Sequence, residues 1–265
     1  MSLLVHCGAE RTEWEDLMKV VTPESTNTHV PIPHHELVEL VRESLPENGF
    51  QVVQEEHALS KDGQNYFGVM KIEDPSFPAD QDGFARVIGL RNSHNKRIAA
   101  GLVSGSTVFV CDNMAFSGEV QVTHKHTSKV MEALPMMVRE AVVGLKPLLT
   151  AERQRVKAYR AHQLGVGLEL TVDHLFMEAL RRGALTASQL GKAWAHWEKP
   201  PHEEFEERSM WSWFNSVTEA HKGTGMRTLF NRSMALHDMC DSVVGFEGLI
   251  INTQAEEVSD GVLVS

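Results

Sequence analysis

His124 and His126 stand two apart in VTHKH, at the end of an apolar stretch that reads as a strand. On a strand that spacing turns both rings to one face, the arrangement two metal ligands need. A third ligand has to come from elsewhere, with His94 one option, so no metal is assigned. His237, Cys240 and Asp241 fall at i, i+3, i+4 and share a helix face, but without a fourth ligand or an HExxH pattern they read as the edge of a core. Cys111 ends the apolar run VFVC, directly before Asp112 and Asn113. A thiol nucleophile requires a base and a lowered pKa, which His94 or His124 can supply if the strands pair suitably. The alternative for Cys111 is a small packed hydrophobe. The carboxylates have no distinctive spacing, and the chain carries no phosphate-binding glycine loop, GxSxG elbow or kinase signature. No catalytic residue and no cofactor are therefore assigned.

The cations give the stronger lead, because they are concentrated in the middle of an acidic chain. Residues 1–83 hold 5 Lys/Arg against 16 Asp/Glu, residues 84–163 hold 12 against 5, and residues 164–265 hold 8 against 15. A net charge of −11 thus conceals a basic centre. Arg86 and Arg91 lie on FARVIGLRN, Lys96 and Arg97 follow at its turn, and Lys125 and Lys129 flank Thr127 where a helix begins. A helix N-terminus already favours phosphate, and these lysines add to it. Arg153 and Lys157 continue the pattern along AERQRVKAYR. Together they suit a phosphate backbone; the competing reading pairs them with the chain's own acids. Aromatic partners are few: Phe84, Phe109, Phe116 and Tyr159, most of them expected in the core. In SMWSWFNSVTEAHKG, Trp211 and Phe214 are expected to pack together, which leaves Trp213 for a subunit interface and a homo-oligomer.

These residues need a scaffold, and 265 residues with 42% hydrophobic and 23% charged content suffice for a sizeable core. No apolar run approaches the ~18–20 residues of a membrane span, the N-terminus lacks a signal-peptide pattern, and three scattered cysteines suit a reducing, cytoplasmic setting. Residues 1–30 read as a polar arm. Pro33 precedes HHELVELVRESL, whose Leu37, Leu40, Val41 and Leu45 form a helical stripe, with Gly49 as its left-handed cap. Lys61-Asp62-Gly63-Gln64 predicts a hairpin turn, and Ser93-His94-Asn95-Lys96 a second, between FARVIGLRN and RIAAGLVSG. STVFVCDN and GEVQVTH read as two further strands. Thereafter the period becomes helical. Thr127 opens a helix with Pro135 as a kink or break, Thr150 opens another, and Thr171, Thr186 and Ser209 cap three more before RTLFNRSMALHDMCDSVV. The expected class is α+β: an antiparallel β-meander with covering helices, then a helical C-terminal half. The expected divisions are an arm (1–30), an α/β core (31–148), a helical region (149–252) and a flexible tail (253–265).

The order IPHHELVELVRESLPENGFQ, LRNSHNKRIAAG, VFVCDN, VTHKHTSKV and WSWFNSVTEAHKG resembles the phage/plasmid-like proteins of the family domain of unknown function 932, from about residue 30 to about 245. The family's Asn-Ser-aromatic-or-His-Asp-Gly turn is matched by Asn92, Ser93 and His94, with Asn95-Lys96 in place of Asp-Gly. Its Cys-x-Asn is matched by Cys111 and Asn113, and its single His before a helix by either His124 or His126. The resemblance implies a phage, prophage or plasmid setting near recombination and anti-restriction genes, and no activity. The helix, meander and covering helix also follow the core order of Red-beta and Erf type annealing proteins, an analogy of fold order only. The leading expectation is a non-enzymatic protein that binds single-stranded nucleic acid in recombination or replication. The second is an anti-defence protein engaging a host protein through acidic surfaces, and the third a Cys/His-dependent enzyme.

Overall fold

The computed structural model describes residues 10–27, 29–60, 62–74, 84–95, 99–108, 114–121, 130–165 and 171–247. The leading stretch is not wholly irregular: Glu10–Thr12 form a short edge strand (β1) and Trp14–Leu17 one helical turn (α1) whose Leu17 is fully buried. Helix α2 (His34–Glu47) buries Leu37, Val38, Val41 and Leu45 along one stripe. It stops where expected. Gly49 sits at φ 83°, its N–H bonds the Pro46 carbonyl and the Phe50 N–H bonds that of Leu45, both at 3.0 Å. That double closure satisfies the last helical carbonyls and needs a left-handed residue at its centre.

The chain then runs back and forth as β2 (Gln51–Leu59), β3 (Asn65–Glu73), β4 (Phe84–Ser93), β5 (Gly101–Val108) and β6 (Met114–Gln121). With β1 they form one six-stranded antiparallel sheet in sequence order. The Asp62-Gly63 turn is present, with Gly63 at φ 65°. The partition of the last strands differs from expectation. RIAAGLVSG and STVFVCDN were expected as separate strands, yet Gly101–Val108 is a single strand passing through Gly105. The pairing register with β6 shifts between Ser104 and Gly105, where Ser117 of β6 is the extra residue, so β5 runs on through Gly105 opposite a bulge in its partner strand.

Val130–Ala161 form one helix of 32 residues, α3, about 48 Å long at ~1.5 Å per residue. Of the kink or break expected at Pro135 the break does not occur, nor does the new start at Thr150; the Thr150 hydroxyl donates to the Lys146 carbonyl within the helix. Tertiary packing overrides the local signal. Leu134, Val138, Val142 and Leu145 join Tyr66, Met70, Ile88, Leu90 and Leu102 of the sheet, with α2, in one core. Val156 and Tyr159 join a second core built by α4 (Val172–Arg181), α5 (Ala187–Glu198), α6 (Met210–Ala220) and α7 (Met226–Val244). Both prolines, Pro135 and Pro147, lie in the half that packs on the sheet. Thr171 and Ser209 cap their helices through side-chain oxygens, and Thr186 sits at the N-cap of α5. Trp211 and Phe214 stack, with centroids 5.7 Å apart. Trp213 is fully buried against Phe176 at 5.4 Å, so it is core and not a subunit interface. α6 is buried on nearly every side, which a stripe argument does not foresee. Among the described residues no helix is long and apolar enough to cross a membrane.

Candidate functional site

Asn92 and His94 lie two apart at the end of β4, and both side chains reach the backbone carbonyl of Ile32, just ahead of α2. The Asn92 amide donates to it at 2.7 Å and the His94 Nε2–H at 3.0 Å. The same Asn92 amide nitrogen donates to His34 Nδ1 at 3.0 Å, while His34 Nε2–H donates to the Gly63 carbonyl at 3.1 Å. A carbonyl can only accept, so both rings carry their proton on Nε2. The two imidazoles stack at 3.9 Å with planes 1° apart. His94 is fixed through its backbone as well: its N–H bonds Gln64 at 2.8 Å, and its carbonyl accepts from His29 Nε2 at 3.2 Å. Asn92 and Ser93 are fully buried and His34 and His94 nearly so. Burial, then the neighbouring His94, holds the His34 pKa down to about 3 against the Gly63 hydrogen bond. Burial also lowers that of His94.

A second arm starts at Tyr66, which faces Asn92 in the β3–β4 register. Its hydroxyl and His57 Nδ1 share a hydrogen bond of 2.9 Å, and His57 Nε2 stands 3.7 Å from the Glu55 carboxylate. Arg42 pairs with Glu55, its Nε at 2.9 Å, and lies over the Trp14 ring at 3.8 Å. The His57 ring first, then Arg42, hold the Glu55 carboxyl down to about 2. The Tyr66 phenol is raised by burial. His57 pairs across the strands with Gly68, and a Cβ on Gly68 would sit 2.1 Å from the Tyr66 hydroxyl. The glycine is therefore the space in which tyrosine and histidine meet. Gly68→Ala must expel that hydroxyl from its bond, leaving buried polar atoms unpaired. The expected loss is about 2–4 kcal/mol of unfolding free energy in urea, from overpacking and the lost bond together. Gly68→Ala combined with Tyr66→Phe should recover part of it. A loss below ~0.5 kcal/mol for the single variant would show that the sheet absorbs the methyl.

The arrangement's chemistry is positional: it bolts the end of β4 to the residues that open α2. Among the described residues no group of three His, Cys, Asp or Glu can hold a metal. Asn92, Ser93 and His94 are thus brought together, and the structure adds His29, His34, His57 and Tyr66, which the sequence reading did not single out. Tyr66 was reachable through the hairpin register; His34 was not, because its place depends on how α2 packs on the sheet.

The cations are distributed unevenly. Arg86 and Arg91 are five apart on one strand and so lie on opposite faces. Arg86 pairs with Ile72, whose side chain is in the core under α2 and α3, and Arg91 pairs with Phe67 on the other face. The pairing row through Arg91 crosses the sheet as Arg11, Ala58, Phe67, Arg91, Gly101 and Gln121. Arg153 and Lys157 are one helical turn apart on α3, with Arg153 half-buried and Lys157 exposed. Lys96, Arg97, Cys111, Asn113, His124, Lys125, His126 and Lys129 lie outside the described residues. His237, Cys240 and Asp241 share one buried face, as core.

A model of the family described as Domain of unknown function (DUF932) matches residues 25–237, from ahead of α2 into α7. No curated protein matches, and no solved structure does.

Proposed function

The chain belongs to that family of unknown function, and we propose that it binds single-stranded nucleic acid, without catalysing a reaction, in phage- or plasmid-type recombination or replication, as a homo-oligomer. The observation that supports this reading is the row on the sheet face away from α2 and α3. Exposed Arg11 and half-buried Arg91 stand on either side of Phe67, in a row that Ala58, Gly101 and Gln121 complete. Cations set beside an aromatic on a sheet suit a phosphate backbone and a stacked base. Asn92 and His94 hold the end of the strand that carries Arg91, directly before Lys96 and Arg97. The test is fluorescence anisotropy with a single-stranded oligonucleotide across a salt series. Changing Arg91, Lys96 and Arg97 to Ala is expected to weaken binding for every sequence and to flatten the log–log salt slope by about 0.7 per lost contact. Absence of wild-type binding at about 50 mM salt removes the proposal.

A second reading, an anti-defence protein that engages a host protein, is favoured by exposed Glu203, Glu204, Glu206 and Glu207 between α5 and α6. Changing these four to Gln leaves nucleic-acid binding intact on the first reading and abolishes host-protein capture on the second.

A further inference from the structure

We propose that His29, His34 and His94 form an acid-released latch, which fastens residues 29–34 to the β2–β3 turn and the end of β4 while neutral and unfastens by taking up protons. The geometry leaves neither stacked ring a place for a second proton. On His34 it would sit at Nδ1, against the Asn92 amide hydrogens. Asn92 cannot turn its oxygen to receive it, because its amide nitrogen is held 2.7 Å from the Ile32 carbonyl and an oxygen there would face another oxygen. On His94 the proton would sit at Nδ1, a buried atom with no acceptor on it, and would place a cation 3.9 Å from the His34 ring.

Among the described residues the groups acting on the two rings offer no compensating charge. His29 contributes from the incoming segment, His35 from α2 and the Tyr66 phenol from β3; the groups acting on the two rings are each other, His29 and His35, all cationic when charged. In the turn, the Asp62 carboxylate accepts from Ser60 and from the Gln64 N–H. Glu55 and Arg42 pair with each other beyond His57. Proton uptake therefore requires opening. An opening that frees one histidine becomes about tenfold more favourable per pH unit below its free pKa of ~6.5, and one that frees both stacked rings about a hundredfold.

The experiment is backbone hydrogen exchange on the full chain between pH 7.5 and 5, corrected for intrinsic exchange. The His94 amide, bonded to Gln64, reports on the latch, and the Trp213 amide of α6, bonded to Ser209, on the helical half. Expected for His94 is a protection factor that falls about a hundredfold per pH unit from 6.5 to 5, while Trp213 loses protection through His221 and His237 of its own half. Gln presents a neutral donor and acceptor at similar spacing to imidazole and takes no proton. His34→Gln or His94→Gln should reduce the fall to about tenfold per unit, and the pair should abolish it. Protection independent of pH in the wild type overturns the latch, whether or not the variants fold. So do His34 and His94 ring protons that titrate near pH 6.5 in the folded chain.

Discussion

Arg155→Met is expected to lower the unfolding free energy by about 3–5 kcal/mol. Arg155 lies on α3, its Nε 3.0 and 3.1 Å from the two oxygens of Asp241 on α7, and its Nη1 2.8 Å from Glu152. The Glu152 side chain is 2% exposed and that of Asp241 15%. The Tyr159 hydroxyl donates to Asp241 at 2.6 Å. One guanidinium thus serves two carboxylates in the second core, and its removal takes the counter-charge from both. Burial already raises the Asp241 pKa against the pull of Arg155, so that carboxyl moves further up when the cation goes. Methionine keeps most of the packing volume, which isolates the electrostatic part. Urea denaturation at pH 7 measures the loss. Adding Glu152→Gln and Asp241→Asn should return much of it, because neutral groups of the same shape need no counter-charge. A loss below ~1 kcal/mol for Arg155→Met would mean that water reaches this cluster and screens it.

That same cluster shows where a sequence reading stops. His237, Cys240 and Asp241 were identifiable as one helix face from their spacing alone, and as core because no further ligand accompanied them. Arg155 and Tyr159, 86 and 82 residues before Asp241, were seen only as part of a basic helix and as an aromatic. Local signals held wherever the chemistry was local. Gly49 and Gly63 needed positive φ, Thr171 and Ser209 had helical N–H groups to satisfy, and the meander followed from short strands with turn residues between them. Local signals failed where packing decided. Pro135 marked a kink or break and Thr150 a new start, yet two cores share α3 and the helix runs on through both positions. RIAAGLVSG and STVFVCDN read as two strands, yet pairing with β4 and β6 carries Gly101–Val108 through as one. In the candidate site, Asn92, Ser93 and His94 stood out by resemblance, while their partners His34 and His57 come from a helix start and a strand whose approach no spacing encodes. The split of Arg86 from Arg91 was readable all along, since an odd separation on a strand always places two side chains on opposite faces.

Acidification from pH 7.5 to 5 is expected to remove at least about 4 kcal/mol of global stability, a large share of the ~5–15 kcal/mol that native chains possess. The cause lies in histidines held neutral by burial in both cores. His34 is pushed down to about 3 and His221, which donates to the Ala184 carbonyl at 2.7 Å, to about 4. His237, fully buried beside Arg155, lies well below its ordinary value, and His94 is lowered too. In the unfolded chain each protonates near pH 6.5. The native pKa is the depressed one, so the stabilisation is fully present above ~6.5 and drains away as pH falls towards the folded values. At pH 5 the unfolded state has gained a proton at His34 and His221 that the native state refuses, about 2 kcal/mol for each. His237 and His94 act in the same direction. The raised pKa of Asp241 acts in the opposite one, as pH falls through its folded value towards its ordinary 3.8. Glu55, held near 2, adds a further acid-side loss below its ordinary 4.5. Urea midpoints followed by far-ultraviolet circular dichroism at half-unit steps of pH measure the slope. His221→Gln should remove about one proton's worth of it, ~1.4 kcal/mol per pH unit, and so distinguish the helical half from the latch in the sheet. Stability constant to within ~1 kcal/mol across that range would mean that these rings take up protons in place, and that water enters both cores to solvate them.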